Sequence, residues 1–325
     1  MTSRIAFLSG LLIACSSKRA GGGVAQVRDT AEEAARDTAP PVDTDGGHDS
    51  GDAPPGPCAS WGGSEAAGQV EDRALEEISG LVVSRQNPGV IWVLEDSGAD
   101  PVLTALDLSG ATLGTLALTG VDNRDWEDLA LGPCGERTCL WVGEFGDNGA
   151  SRDEVALIWV EEPLLEGATG FSLSAPASAQ AYAYPEGPQN VEALVVDPGG
   201  QPYVLTKRLD GRTRVYRVPV AGSGSTMAEL IGTVVAGPAS GLATAVTAAD
   251  LWPDGSRLIV RGYLSTYELD LGSAGMAAAP TASATQVNTA VEIQGEAIAY
   301  DPAGRAIWHV SEGVQPILYR IACED

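Results

Sequence analysis

Between Arg124 and Asn148 the chain reads RDWEDLALGPCGERTCLWVGEFGDN, two short apolar runs around a tight turn. Asp125, Glu127 and Asp128 stand at one end, and Glu144 and Asp147 at the other. If the runs pair as a hairpin, the two acidic ends meet. Carboxylates brought that close repel one another unless a proton, a basic side chain or a cation compensates. A hard divalent ion such as calcium takes six to eight oxygen ligands, so the composition of this corner is that of a candidate ion site.

The hairpin is one of several. Five segments align beneath one another: SGLVVSRQNPGVIWVLED, WEDLALGPCGERTCLWVGEF, VEALVVDPGGQPYVLTKR, VTAADLWPDGSRLIVRGY and GEAIAYDPAGRAIWHVSE. Each is an apolar strand, a turn and a second strand. Equivalent apolar anchors fall at Leu81, Leu129, Leu194, Ala249 and Ile298, a spacing that suits one four-stranded unit per repeat. Third strands follow as VLTALDL, VALIWVEEP, TRVYRVPV, STYELDL and ILYRI. Fourth strands follow in the first four repeats, as TLGTLALTG, SAQAYAYP, AELIGTVV and ATQVNTAV. Helical periodicity is nearly absent, while Gly, Pro, Asp and Asn punctuate β-branched and aromatic runs. The expected fold is all-β, a β-propeller of four-stranded antiparallel blades. Five blades fit the repeats, and a sixth remains open if the long stretch from Leu129 to Leu194 hides another. The last repeat ends at Asp325 without a fourth strand, so residues around Ser64 to Glu71 are expected to complete that blade, because an open edge invites aberrant pairing.

In such a ring the innermost strand of each blade starts on the face at which the second strand ends. The residue two before each anchor is Ser79, Glu127, Glu192, Thr247 or Glu296, all oxygen-bearing. Glu95 and Asp96, Glu144 with Asp147, Lys207 and Arg208, Tyr263, and Glu312 stand at the ends of the second strands. We therefore expect one mouth of the channel to hold a calcium-type ion through Glu127, Glu192 and Glu296, with Asp125, Glu144 and Asp147 in reserve. Lys207, Arg208, Glu95, Asp96 and Glu312 would line the surrounding ligand site, with Trp126, Phe145 and Tyr263 as aromatic neighbours. The alternative is that these acids are solvated strand ends, paired with Arg124, Arg152, Lys207 or Arg208.

The turns VDPGG, WPDGS and YDPAG resemble those of bacterial TolB-type and WD-like propeller repeats, and GEAIAY resembles strand starts of phytase-like and esterase-like propellers. The resemblance runs from Glu77 to Ile321 and implies a fold rather than an activity. A phytase-like reading would make the chain a metal-dependent hydrolase, with Lys207 and Arg208 facing the anion.

The N-terminus, MTSRIAFLSGLLIACSSKR, has Arg4 and then an apolar run too short for a permanent span, the form of an export signal. Leu12-Ile13-Ala14-Cys15 resembles the lipobox of bacterial lipoproteins, which implies cleavage after residue 14, lipidation of Cys15, and the outer membrane in a Gram-negative host. Residues 16–57 are rich in Ala, Asp, Gly, Thr and Pro and read as a disordered tether, leaving 58–325 for the propeller. Within that tether DTDGGHDSGD lacks the rest of an EF-hand pattern. Cys58, Cys134, Cys139 and Cys323 remain for an oxidising compartment. Cys134 and Cys139 bracket a turn while Cys58 and Cys323 stand at the two ends of the globular region, so those two pairings are expected. A zinc site is the competing use, with spacing unlike the usual paired ligands.

His309 is the one histidine of residues 58–325, and no G-x-S-x-G elbow accompanies it, so serine-histidine hydrolysis is not indicated. No P-loop or dinucleotide fingerprint appears; GSGST, 222–226, reads as a linker, and neither nucleotide nor flavin is expected. The formal charge of -25 argues against nucleic acid. The preferred reading is a monomeric, membrane-anchored binding or scaffolding module for a protein, peptide or carbohydrate, ahead of metal-dependent hydrolysis.

Overall fold

Short apolar strands alternating with glycine-containing turns build five sheets. The computed structural model describes residues 58–235 and 241–324. Cys15, the export signal and the tether at 16–57 lie outside the described residues. Blade 1 runs outward through Ile78–Val83, Val90–Glu95, Val102–Asp107 and Thr112–Thr119. Blade 2 follows with Trp126–Cys134, Arg137–Glu144, Val155–Glu161 and Ser178–Ala183. Blade 3 consists of Val191–Val196, Pro202–Thr206, Thr213–Arg217 and Glu229–Val234, and blade 4 of Val246–Leu251, Arg257–Gly262, Thr266–Asp270 and Ser283–Val287. Gly295–Tyr300, Ala306–Ser311 and Ile317–Glu324 form blade 5, whose outer strand is Ser60–Gln69 from the other end of the domain. The five innermost strands touch in cyclic order, with the first against the fifth, so the ring closes.

The core is not central. Five separate apolar clusters fill the five interfaces between adjacent blades. Trp92 and Trp126 lie between blades 1 and 2, and Trp141, Tyr182 and Tyr216 between blades 2 and 3. Two innermost aspartates pin neighbouring blades together. Asp128 accepts from the amides of Leu129 and, across the interface to blade 3, Leu194, each at 2.8 Å. Asp250 does the same with Leu251 and, in blade 5, Tyr300, again at 2.8 Å.

No sixth blade lies between Leu129 and Leu194. The surplus strand there, Phe171–Pro176, pairs in parallel with the outer strand of blade 1. Ser225–Met227, which overlaps the expected GSGST linker, pairs in parallel with the outer strand of blade 2. In blade 4 the corresponding connection is a 3-10 segment, Gly272–Thr281, that packs on the outer strand of blade 3. A Cβ on Gly232 there would meet the Pro280 ring at 2.4 Å. Three successive blades thus cover the edge of the blade before them, which removes unpaired strand from the surface.

The disulfides Cys58–Cys323 and Cys134–Cys139 are both formed, with Cα separations of 5.6 and 5.8 Å. They close loops of 265 and 5 residues in sequence separation. Because cross-link stabilisation grows with the loop closed, Cys58→Ser with Cys323→Ser should lower stability by roughly 2–5 kcal/mol, and Cys134→Ser with Cys139→Ser by less. Urea unfolding of the two double variants checks the order.

Candidate functional site

Every innermost strand contains one residue too many for its partner. Register shifts fall between Ile78 and Gly80, Trp126 and Leu129, Val191 and Ala193, Val246 and Ala248, and Gly295 and Ala297. The residues caught in these bulges include Ser79, Glu127, Glu192, Thr247 and Glu296, the same five positions picked out two before each anchor. A β-bulge re-aims the extra side chain out of the alternation of the sheet. All five are buried. Two are used to join blades: Ser79 Oγ donates to the Trp126 carbonyl at 3.3 Å, and Thr247 Oγ1 to the Gly295 carbonyl at 2.6 Å.

The three glutamates have a different setting. Ligand oxygens of Asp96, Asp125 and Glu127 all lie within 4.8 Å of one another. Glu192 adjoins this group, and its Oε2 is 3.1 Å from Lys207 Nζ. Its Oε1 is buried and has no hydrogen-bond partner among the described residues. Lys207 lies over the Tyr263 ring, 4.9 Å from the centroid, and Tyr263 in turn neighbours Glu296. Glu312 faces the same charges from blade 5. Asp96, missing from the expected ion ligands and placed among the rim contacts, is part of the tightest group.

Gly146 makes room for that group. Its φ is not in the left-handed region, so its role is one of space. A Cβ there would meet Glu127 Oε1 at 2.2 Å and Asp125 Cγ at 2.5 Å.

The charges of the mouth are out of balance. Burial, followed by the charge of Glu192, pushes Glu127 far above the carboxylate range, so it holds a proton at neutral pH. Burial also raises Glu296 to about 8, with Glu192 and Glu312 adding to it and Lys207 opposing. Glu312 rises to about 7 and Asp96 to about 6, again chiefly by burial. Burial raises Asp125 too.

Other expected residues lie elsewhere. Glu144 Oε2 accepts from the amides of Arg124 and Asp125 at 2.9 and 3.2 Å, and its Oε1 pairs with Arg152 at 2.6 Å. Asp147 accepts from the amides of Ser151 and Arg152, which holds its carboxyl below the usual range. Both therefore shape the loop after the hairpin. Arg208 pairs with Asp210 on the surface, and Glu95 accepts from the Glu76 amide at 3.0 Å. Trp126 and Phe145 are wholly buried in the interface clusters, leaving Tyr263 as the aromatic of the mouth.

His309 is a structural latch. Burial lowers its proton affinity, so the ring is neutral. Nδ1 lies 2.8 Å from Glu292 Oε2, Nε2 lies 2.8 Å from Ser64 Oγ, and Tyr319 stacks on the ring. Glu292 also pairs with buried Arg261, whose guanidinium lies against Gly295. The closing strand Ser60–Gln69 is thereby tied to the loop that leads into blade 5.

Two outcomes follow. Asp96, Glu296 and Glu312 bind protons in the folded state that the unfolded chain releases near pH 4–4.5. Their contribution to stability is complete below that range and is lost as pH rises through about 6 to 8. His309 has the opposite sign, losing its contribution below about pH 6.5, but it is one group. In chelator, the melting temperature should therefore fall between pH 5 and pH 8. Gly146→Ala should leave the fold intact, with a melting temperature within a few degrees of wild type, because only the carboxylate ends of Glu127 and Asp125 have to move.

No protein-family model matches the chain, and no curated protein does. Among solved structures, the PQQ-bound form of an aldose sugar dehydrogenase from Streptomyces coelicolor is 14% identical, with a TM-score of 0.46, over 84% of this chain and 100% of that one. A likeness at that level carries no argument about what this chain binds.

Proposed function

We propose that this chain is an exported, lipid-anchored propeller that binds a ligand at its acidic mouth, and that a calcium-type divalent ion is part of that mouth. Cys15 would carry the anchor, and two disulfides suit an oxidising compartment. Among the described residues no helix is long and apolar enough to cross a membrane.

The observation that carries the reading is Glu192 Oε1, a buried carboxylate oxygen with no hydrogen-bond partner beside three converging carboxylates. Lys207 compensates the charge of Glu192 at Oε2, but a buried oxygen without a partner is still costly, and a cation at Oε1 removes that cost. Asp96, Asp125, Glu127 and Glu192 supply the oxygens a hard ion requires, with Glu296 beyond Lys207. Beyond the ion, the partner class is a protein, peptide or carbohydrate reaching the rim near Tyr263. Binding is favoured over hydrolysis of anionic esters because Lys207 is paired with Glu192 and Arg208 with Asp210, which leaves neither free to receive an anion.

Isothermal titration of the intact chain with calcium at pH 7.5 should show one site, weakened at least tenfold in Glu127→Gln with Glu192→Gln. Because Glu127 is protonated before binding, titrations in buffers of different ionisation enthalpy should show proton release. Equal binding by wild type and double variant, or heats independent of the buffer, would count against the site.

A further inference from the structure

Lys207 is the basic side chain that faces Glu192 and Glu296, while Arg152 acts on Asp125 from the loop after the hairpin. Lys207 ends the second strand of blade 3, where blade 1 has Asp96 and blade 5 has Glu312. Its ammonium sits 3.1 Å from Glu192 Oε2 and over the Tyr263 ring, with most of the side chain buried. Glu192 is thus half-occupied: one oxygen holds the ammonium, and the other is buried and without a hydrogen-bond partner among the described residues.

We propose that Lys207 is the specificity-determining residue of the mouth, a resident cation that bars monovalent ions and admits divalent ones. The inference rests on the ion-binding reading above. An ion bound through Glu192 Oε1 shares that carboxylate with the ammonium on Oε2, and like charges on one carboxylate repel. A monovalent ion brings no more charge than the ammonium already supplies, so it gains nothing by competing for Glu192. A divalent ion doubles the attraction to every carboxylate and prevails over the repulsion. The ammonium then moves off Glu192 toward Glu296 and Glu312, both of which already act on it or share its field. Tyr263 suits this movement, since a ring face tolerates a cation over a range of positions.

Three variants separate the possibilities. Lys207→Gln keeps a hydrogen-bond donor for Glu192 and removes the charge. Lys207→Met removes both, and Lys207→Arg keeps the charge. Calcium affinity is measured by titration in 150 mM sodium chloride and, at equal ionic strength, in tetramethylammonium chloride, with melting temperature as a check on folding. The expected result is calcium affinity at least tenfold higher in Lys207→Gln than in wild type. That gain should be largely lost in sodium but kept in tetramethylammonium. Wild type and Lys207→Arg should respond alike to the two salts. Lys207→Met, with Glu192 left uncompensated, should melt lower than wild type without calcium and gain more on its addition. Should Lys207→Gln and Lys207→Met be folded yet bind calcium as wild type does, or more weakly, or with no distinction between the salts, the role of Lys207 is overturned while the ion site stands. Absence of calcium binding in all folded forms overturns the ion site itself.

Discussion

One extra residue in each innermost strand governs the interior of this ring. Alternation would send the five side chains into the interfaces between blades, where the apolar clusters are. The bulges instead turn Ser79, Glu127, Glu192, Thr247 and Glu296 out of that alternation. A hydroxyl in that position joins the next blade through a backbone carbonyl. A carboxylate has no proton to donate there in its charged form, and at Glu127, Glu192 and Glu296 it faces the opening instead. The chemistry of the mouth is therefore a choice of side chain at a backbone irregularity that every blade has for structural reasons.

Two kinds of buried acid result from this arrangement, and their environments decide their uses. Asp128 and Asp250 receive two amide hydrogens each, one from a neighbouring blade, and are satisfied. Burial still raises Asp128 well above the usual range, because none of the residue reaches solvent. At the mouth Asp96 accepts from the Ser97 amide, while Glu127 and Glu192 have no amide donor among the described residues. The ring is held below by saturated carboxylates and is left electrostatically open above.

Much of this was legible in the residues. The anchors at Leu81, Leu129, Leu194, Ala249 and Ile298 mark the innermost strands, and oxygen-bearing residues recur two positions earlier because the bulge recurs. The closing strand and both disulfides follow from the missing fourth strand and the positions of the cysteines. Other features leave no local trace. Phe171–Pro176 and Ser225–Met227 pair in parallel with the preceding blade, so neither joins a hairpin that a turn could signal. Glu144 and Asp147 differ from Asp96 only in which backbone amides lie within reach, a property of loop conformation. Trp126 and Phe145 are adjacent to the mouth in sequence, but each turns into an interface cluster.

The bond between Cys58 and Cys323 has a mechanical consequence. The described chain begins at Cys58, whose carbonyl accepts from Arg257 at the rim opposite the mouth, and continues into the strand that closes blade 5. A pull on the residues before Cys58 would by itself peel Ser60–Gln69 away one pair at a time, the geometry in which a ladder of hydrogen bonds is weakest. With the sulfurs joined, the load passes to Ile317–Glu324, which is bonded on both flanks, to Ser60–Gln69 and to Ala306–Ser311. Freeing the closing strand then also requires breaking the two ladders of Ile317–Glu324, and reduction of that one bond would let Ser60–Gln69 leave by itself.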